Sequence, residues 1–357
     1  MAYEIKITRN PHSRLSELDF DNISFGNTFT DHMFIADYDG EKWVDARIVP
    51  SGDITMHPGN LTLHYGQSIF EGMKATKSKD GAPLFFRPEK HVERLNASAR
   101  RMCMAEIDGE LFLQALHALV NLEQDWIPPS EGSALYIRPF MFATDEYIGV
   151  RPSKTYRFMI LTLPVGPYYA KPVSLLADET HVRAAHGGVG EAKAAGNYAA
   201  SLYPARLAME AGYDQVLWLD AKEFKYIQEV GTMNVFFVID GKVITPATDG
   251  AILKGITRES IIHLLNHKGH AVEERAIEVD EILEANKNGT LQEIFGTGTA
   301  AVVARVNRMK YQDTVIELTL KDGSIAQEAK DMINGIRSER IADEHGWIVR
   351  VRDEALV

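Results

Sequence analysis

A stiff, proline-rich segment interrupts the chain just before its midpoint and divides it into two parts. Residues 164–172 read Pro-Val-Gly-Pro-Tyr-Tyr-Ala-Lys-Pro, a composition that breaks regular structure and is common in connections between domains. At 357 residues the chain is long enough for two domains with substantial cores. We therefore predict an N-terminal domain over residues 1–165, a linker over residues 166–175 and a larger C-terminal domain over residues 176–357.

Strand-like and helix-like segments are mixed in both domains and do not alternate strictly. In the N-terminal domain, the residue patterns predict strands at Leu61–Tyr65, Leu84–Phe86, Ala134–Phe142 and Arg157–Leu163, and helices at Lys90–Met104 and Gly109–Asn121. In the C-terminal domain they predict helices at Tyr198–Ala211, Thr257–Gly269 and Ala326–Ala342, and strands at Gln215–Leu219, Asn234–Ile239, Lys242–Thr245 and Trp347–Val351. Gly212 is expected to end the first of these helices, the Thr257 side chain to cap the second, and Asp240-Gly241 to form a hairpin turn. This pattern predicts an α+β fold and argues against a doubly wound parallel sheet.

Composition excludes several classes of protein. The net charge of −12 argues against a nucleic-acid binder, which would carry a basic surface. The single cysteine, Cys103, rules out an intrachain disulfide framework and fits a reducing, cytoplasmic setting. The N-terminus lacks the apolar core of a signal peptide, and no run approaches the ~18 apolar residues of a membrane span. We therefore expect neither a nucleic acid nor a membrane as a partner.

Lys193 lies among small residues that would let a bulky ligand approach the backbone. Residues 186–198 read His-Gly-Gly-Val-Gly-Glu-Ala-Lys-Ala-Ala-Gly-Asn-Tyr. A lysine amine becomes a nucleophile when it is desolvated or lies near another cation, and glycine leaves room for a cofactor. We interpret Lys193 as a candidate Schiff-base lysine, and the alternative is an ordinary solvated lysine in a glycine-rich turn. Lys74 and Lys77 lack this setting and are expected to be surface lysines.

Four further segments carry groups that a phosphorylated, nitrogen-containing cofactor would need. Glu229 ends a strand-like run, where a carboxylate could keep a pyridine nitrogen protonated. Residues 254–258 place a glycine and a hydroxyl at a predicted helix N-terminus, which attracts phosphate, and residues 295–301 could form an anion-binding nest. Arg94 offers a fork of donors suited to phosphate. The alternatives are a solvated glutamate, a plain helix cap and a solvated helix arginine, and the spacing fits neither ATP nor NAD motifs.

Three histidines lie close together in the chain but do not form a metal-binding motif. His263 and His267 have the spacing that faces one side of a helix, and His270 follows. No acidic residue completes a zinc-binding pattern, and Lys268-Gly269 is expected to end the helix before His270. We therefore predict no metal site.

These segments together resemble the branched-chain amino-acid aminotransferases, which are fold-type-IV pyridoxal-phosphate enzymes. The resemblance extends from about residue 31 to residue 351. Within the family, the order and length of these segments are most similar to the longer, eukaryotic-like branch. Its motifs are residues 63–75, Phe86-Arg-Pro, Tyr136-Ile-Arg-Pro, residues 172–176, Gly196-Asn-Tyr, Gln215-Val-Leu-Trp-Leu, Glu229-Val-Gly-Thr-Met-Asn, Gly255-Ile-Thr-Arg and Gly298-Thr-Ala. It implies a two-domain α+β fold like that of D-amino-acid aminotransferase.

The resemblance also implies roles for individual residues. Lys193 would form the Schiff base with pyridoxal 5′-phosphate and act as the catalytic base. The other cofactor-binding residues would be Glu229 at the pyridine nitrogen, Tyr198 at the ring oxygen, and Arg94, Ile256, Thr257 and Thr299 at the phosphate. The substrate-binding residues would be Tyr65, Phe70, Tyr136, Tyr168, Thr232, Thr299 and Ala300, together with Arg138 at the distal carboxylate of glutamate.

The implied reaction is transamination of L-leucine, L-isoleucine and L-valine with 2-oxoglutarate, catalysed by a homodimer or a higher homo-oligomer. Two other enzymes of this fold class, D-amino-acid aminotransferase and aminodeoxychorismate lyase, remain alternatives. A non-enzymatic binding protein would require the loss of Lys193 or Glu229, and both are present. The longer eukaryotic enzymes carry a CxxC pair after the Gly-Thr-Ala turn, but Ala301 and Ala304 stand there in this chain, which excludes a thiol switch at that place.

Overall fold

The computed structural model of the protein describes residues 3–166 and 171–352, and the chain divides into two compact units. The described part of the first unit consists of residues 3–166, Ala192–Ala195 and 335–352, and that of the second consists of residues 171–191 and Gly196–Asn334. The first change of unit falls between residues 166 and 171, inside the expected linker. Two segments differ from the expected division, because Ala192–Ala195, with Lys193, and residues 335–352 return to the first unit. Nothing in the local sequence pattern indicates with which unit such short segments pack.

The first unit is built on a mixed sheet. Its elements are β1 (Lys6–Ile7), β2 (His32–Tyr38), β3 (Trp43–Pro50), α1 (Leu61–Tyr65), β4 (Ser68–Phe70), β5 (Met73–Lys77), β6 (Pro83–Phe86), α2 (Pro88–Arg101), α3 (Gly109–Leu122), β7 (Ala134–Ala143) and β8 (Tyr156–Val165). The strands are ordered β1-β3-β2-β8-β7-β5-β6, and β4 pairs with β7. Its core lies between this sheet and the helices, where the ring of Phe112 in α3 lies 5.5 Å from that of Phe158 in β8.

Local signals explain where the helices of this unit begin. Asp108 caps α3 by accepting from the backbone N of Glu110 at 2.8 Å, and α2 begins at Pro88, a residue favoured in the first helical turn. The predicted strand at Leu61–Tyr65 is wrong, because these residues form the helix α1. Asn60 caps its start through the backbone N of Leu63, and Gly66 ends it in the left-handed conformation with φ +65°.

The second unit contains another mixed sheet with helices. Its elements are β9 (Val173–Asp178), α4 (Ala195–Glu210), β10 (Gln215–Leu219), β11 (Ile227–Val230), β12 (Met233–Ile239), β13 (Lys242–Thr245), α5 (Ile256–His267), β14 (Val272–Glu274), α6 (Val279–Lys287), β15 (Leu291–Gly298), β16 (Val302–Tyr311), β17 (Thr314–Glu317) and α7 (Ile325–Arg337). The strand order is β11-β10-β9-β16-β15-β12-β13-β14, with β17 on β16. Because β11 also pairs with β12, six of these strands form a closed ring.

Two predicted helices of the second half differ from the observed ones. The N-cap of α5 is Gly255, and Thr257 lies inside the first turn, so its side chain does not cap the helix. Helix α7 ends at Arg337 rather than at Ala342, because the chain folds back and the backbone N of Ile341 donates to the Gly335 carbonyl at 3.0 Å. The final strand β18 (Ile348–Arg350) pairs with β6 and completes the first sheet. The expected α+β fold is confirmed.

Candidate active site

The backbone of Lys193 is hydrogen-bonded on both sides within the first unit. Its amide N donates to Oγ of Ser98 at 2.9 Å, and its carbonyl accepts from the amide N of Phe70 at 3.0 Å. The next residue, Ala194, forms an isolated antiparallel bridge with Ile69. These bonds fix the Cα of the lysine beside β4, so the amine changes place mainly by rotation of its own side chain.

The ring of Phe70 lies against two cationic side chains. Nζ of Lys193 is 4.8 Å from the ring centroid, and Cζ of Arg138 is 4.8 Å from the same centroid. Aromatic faces attract cations at such distances. The candidate Schiff-base lysine and the candidate carboxylate-binding arginine therefore lie against the same apolar ring.

Arg138 is further oriented by Tyr136, which precedes it by two residues on β7. Nη2 of Arg138 donates to the Tyr136 hydroxyl at 3.1 Å. The residue beside that hydroxyl is Gly72, where an added Cβ would lie 2.2 Å from the hydroxyl oxygen, so a side chain at this position would displace Tyr136. Nε of Arg138 is buried and has no hydrogen-bond partner among the described residues. Arg138 thus has hydrogen-bonding capacity that the described part of the protein does not use.

Arg94 in α2 is held by a buried carboxylate. Its Nε and Nη2 donate to the two carboxylate oxygens of Glu71 at 2.7 and 2.8 Å, and Nδ1 of His91 lies 2.7 Å from the same carboxylate. Glu71 is fully buried. Burial acts to raise the pKa of Glu71, but Arg94 and His91 outweigh it and hold the pKa well below its ordinary value. Arg94 is therefore not the solvated arginine of the alternative interpretation.

Lys74 is not a surface lysine, which corrects the expectation from sequence. It is 9% exposed and lies directly opposite Tyr136 in the pairing of β5 with β7. Burial, together with the nearby Arg337 guanidinium, lowers the pKa of Lys74 to about 7. Lys77, at the end of the same strand, is half-buried.

Two predicted substrate residues of the first half are less informative. Tyr65 is the last residue of α1 and is 47% exposed. Tyr168 lies outside the described residues. Their assignments remain predictions.

Glu229 is buried near the end of β11 in the second unit, so it is not a solvated strand-end glutamate. Its carboxylate is ion-paired with Nε of Arg183, and Oε1 accepts from Nδ2 of Asn234 at 2.9 Å. A small cavity lies beside the carboxylate, and Tyr198 and Thr232 contribute to its lining. The structure therefore brings Glu229, Tyr198 and Thr232 together around one space.

The predicted phosphate-binding residues of the second unit follow closely in sequence after residues that contact Asn234. Asn234 pairs in register with Thr297, near the end of β15, and its Nδ2 donates to the Leu253 carbonyl at 2.9 Å. Leu253 comes just before α5. Thr299 and Ala300 form the turn between β15 and β16.

The first turn of α5 is a candidate phosphate-binding site. No side chain caps it, and the backbone N–H groups of the first turn, including those of Ile256 and Thr257, have no partner within a helix. Such N–H groups and the helix dipole favour a phosphate. With a buried carboxylate and the tyrosine of the cavity in the same unit, the donor set fits a phosphorylated pyridine such as pyridoxal 5′-phosphate.

The described residues show neither a metal-binding cluster nor a helix that could span a membrane. They contain no group of three or more histidine, cysteine or acidic residues arranged to bind a metal. Of the three histidines considered from sequence, His270 instead contacts an acidic side chain, with its Nε2 2.8 Å from the carboxylate of Glu328. Within these same residues, no helix has the length and apolar character needed to cross a membrane.

Sequence reasoning missed Glu71, Arg183 and the bridging role of Asn234. Glu71 and Asn234 lie in motifs that were recognised, but nothing in the motifs indicates which side chains pair. Arg183 lies ten residues before Lys193 in a segment without a recognised motif. A basic residue ahead of a glycine-rich turn is too common to have identified it.

Comparisons with known proteins identify the family of this chain. The family described as amino-transferase class IV matches residues 68–309. Branched-chain-amino-acid aminotransferase 2 of Bacillus subtilis is 49% identical over 338 residues, covering 93% of each chain. Among solved structures, the branched-chain amino acid aminotransferase of Escherichia coli has a TM-score of 0.75 at 27% identity, covering 90% of this chain and 99% of the other. Another solved enzyme of that name, determined with pyridoxamine 5′-phosphate, has a TM-score of 0.75 at 25% identity, covering 90% of this chain and 98% of the other. The chain therefore belongs to the class IV aminotransferase family.

Proposed function

We propose that this protein catalyses pyridoxal-phosphate-dependent transamination between L-leucine, L-isoleucine or L-valine and 2-oxoglutarate, which gives branched-chain 2-oxo acids and L-glutamate. The observation that carries the proposal is the shared contact of Lys193 and Arg138 with the ring of Phe70. A substrate held beside this ring would meet an apolar wall, a reactive amine and a cation. That combination suits a pocket that accepts both an aliphatic side chain and a distal carboxylate. The relatives named as branched-chain-amino-acid aminotransferases support the same substrate class.

Most of the residues that we assign to the cofactor lie in the second unit, and Arg94 lies in α2 of the first unit. We assign the phosphate to the first-turn amides at Ile256 and Thr257, to Thr299 and to Arg94, and the ring oxygen to Tyr198. Glu229 would hold the pyridine nitrogen protonated. When bound, the cofactor supplies an electron-withdrawing ring that stabilises negative charge at the substrate Cα.

Lys193 performs the proton transfer in this proposal. Its Nζ would accept the proton from the substrate Cα and would donate it to the cofactor carbon that is bonded to the substrate nitrogen. The fixed backbone of Lys193 limits this motion to the side chain. The Phe70 face beside Nζ excludes water from one side of the amine.

Substrate orientation falls to groups around Phe70. We assign the α-carboxylate to Tyr65, Tyr136 and the amides of Thr299 and Ala300, and we include Thr232 among the substrate-binding residues. The Phe70 ring and Tyr168 would contact the aliphatic side chain. Arg138, oriented by the Tyr136 hydroxyl at 3.1 Å, would bind the distal carboxylate of glutamate or 2-oxoglutarate.

A coupled assay of purified protein with added pyridoxal 5′-phosphate and 2-oxoglutarate tests this proposal. We expect turnover of L-leucine, L-isoleucine and L-valine and no turnover of D-alanine. Turnover of D-alanine in preference to L-leucine would contradict the proposal and favour a D-amino-acid aminotransferase. Formation of an aromatic amine from aminodeoxychorismate would favour the lyase instead.

We further propose that the enzyme is a homodimer, or a larger homo-oligomer, of the cytoplasm. The low cysteine content supports the reducing compartment. Light scattering coupled to gel filtration, and fractionation of cells that produce the protein, test the two statements separately. A monomer that is fully active, or activity outside the cytoplasmic fraction, would contradict the corresponding statement.

A further inference from the structure

Arg183 is the cation that faces Glu229 in the second unit. Nε of Arg183 lies against Oε2 of Glu229 in a close charge contact that is not aligned as a hydrogen bond. The two side chains are 8% and 5% exposed, respectively. An isolated buried carboxylate tends to take up a proton, whereas a neighbouring guanidinium favours its ionised form. Glu229 is therefore buried together with the charge that stabilises its anion.

The far end of Arg183 is bound to the backbone. Nη2 donates to the carbonyl of Gly190 at 3.0 Å and to that of Ala251. Gly190 is needed for this arrangement, because a Cβ at that position would lie 2.2 Å from the Ala251 carbonyl oxygen. These bonds prevent the guanidinium from turning away from Glu229.

A second contact holds the other oxygen of the carboxylate. Nδ2 of Asn234 donates to Oε1 of Glu229 at 2.9 Å and to the Leu253 carbonyl at 2.9 Å. Gly255 leaves the space for Asn234, since a Cβ at that glycine would lie 2.0 Å from Oδ1 of Asn234. Both oxygens of Glu229 are thus held in place, and a carboxylate can accept further hydrogen bonds at its remaining lone pairs.

The cavity beside Glu229 contains few other titratable groups. Among the described residues that line it, Arg183 and Glu229 are charged, and Tyr198 is the other titratable residue. The electrostatic balance at this cavity therefore depends mainly on the pairing of Arg183 with Glu229.

We propose that Arg183 is a positioning residue that keeps Glu229 ionised, so that a proton shared with the pyridine nitrogen of bound cofactor stays on the nitrogen. The inference rests on the proposed role of Glu229. A proton between a carboxylate and a pyridine in a low-dielectric site favours the neutral pair, with the proton on oxygen, unless a cation stabilises the carboxylate. Arg183 contacts the carboxylate directly and therefore lowers its proton affinity more than that of a nitrogen farther away.

The first test uses the cofactor-free protein and two matched variants. Arg183→Gln removes the charge but retains an amide that can donate hydrogen bonds, whereas Arg183→Lys retains the charge. The ionisation of Glu229 is followed by carbon NMR of labelled glutamate carboxyls, with the signal assigned from Glu229→Gln. We expect an ionised Glu229 at neutral pH in the wild type and in Arg183→Lys, and a protonated Glu229 in Arg183→Gln. An ionised Glu229 in Arg183→Gln would overturn the proposal.

The second test uses protein loaded with ring-¹⁵N-labelled pyridoxal 5′-phosphate. In Arg183→Gln the nitrogen resonance should move toward that of the neutral pyridine, with the ratio of protonated to neutral pyridine reduced at least about tenfold, the change that corresponds to one pKa unit in relative basicity. Arg183→Lys should restore the wild-type resonance. A resonance that is unchanged in Arg183→Gln would overturn the inference, because a merely structural role would not move the proton.

Arg275→Met provides the control for general loosening of the second unit. Arg275 pairs with Glu281 and donates to the Ala276 carbonyl, so its loss removes a comparable set of bonds elsewhere. We expect neither the Glu229 signal nor the ring resonance to change, and a change in this variant would overturn the specific assignment to Arg183. Failure of the wild-type protein to bind the cofactor would contradict the proposed function, but it would leave the cofactor-free result on Arg183 intact.

Discussion

Replacement of Lys74 by methionine should stabilise the protein, and by more at low pH than at high pH. Methionine has a similar length and no charge, so it can fill the space opposite Tyr136. Lys74 is 9% exposed, and burial, aided by Arg337, lowers its pKa from 10.5 to about 7. A pKa difference of this size corresponds to about 5 kcal/mol. That is the cost to the folded state of keeping the ammonium protonated below the folded-state pKa.

The direction of the pH dependence follows from proton binding. Between about pH 7 and pH 10.5 the unfolded chain holds the Lys74 proton and the folded protein does not, so stability rises with pH across this interval. The penalty is complete below about pH 7 and is reduced to about 2 kcal/mol near pH 9. The stabilisation by Lys74→Met should therefore be about 3 kcal/mol larger near pH 6 than near pH 9.

Urea unfolding of wild-type and Lys74→Met protein at these two pH values measures this difference. Lys79→Met, at an exposed position shortly after β5, serves as the control and should show no such difference. An equal gain at both pH values would mean that the benefit comes from packing and would refute the argument from charge burial. A loss of stability that is larger near pH 6 would refute it as well.

Three other predictions concern the candidate site. Lys193→Ala should abolish the visible absorbance band of bound cofactor and turnover, while circular dichroism shows a retained fold; wild-type turnover in this variant would remove Lys193 from the mechanism. Arg138→Met should weaken the binding of glutamate and 2-oxoglutarate by roughly ten- to a hundredfold in single-turnover kinetics, because a charge-assisted bond contributes about 1.5–3 kcal/mol. The binding of leucine should change little. Equal losses for leucine and glutamate would instead assign Arg138 a structural role. Gly72→Ala should displace the Tyr136 hydroxyl, which an added Cβ would approach to 2.2 Å, and raise the KM for the acidic substrates; unchanged kinetics would show that Tyr136 does not orient Arg138.

Sequence reasoning was most informative where the signal was local. The small residues around Lys193 made it a candidate without knowledge of its partners, and its catalytic role stays a prediction. The Asp240-Gly241 pair predicted a hairpin turn, and both residues adopt positive φ in the observed hairpin. The helix at Leu61–Tyr65 was missed because its five residues are too few to show helical periodicity. Its capping residues Asn60 and Gly66 were the signal that could have identified it.

The remaining misses depend on contacts between residues distant in the chain. Lys74 was expected at the surface because the local sequence does not show that β5 pairs with β7. Nor does it show that Arg337, more than 250 residues away, lowers the pKa of Lys74. Arg183 was overlooked because its ion pair with Glu229, a residue distant in the chain, is visible only in the folded structure. A pattern of residue types indicates which groups can do chemistry, but the identity of their partners depends on the tertiary fold.

In the proposed reaction, the bonds that fix the backbone of Lys193 make the placement of its amine depend on a residue to which no contact with the substrate is assigned. The Ser98 hydroxyl, 95 positions earlier in the chain, helps to set where the base of the lysine side chain starts and thus how far its amine can reach. Small errors in the placement of reacting groups can cost about a hundredfold in rate. We therefore expect substitutions at Ser98 to change the rate of the proposed reaction and to leave its choice of substrate intact.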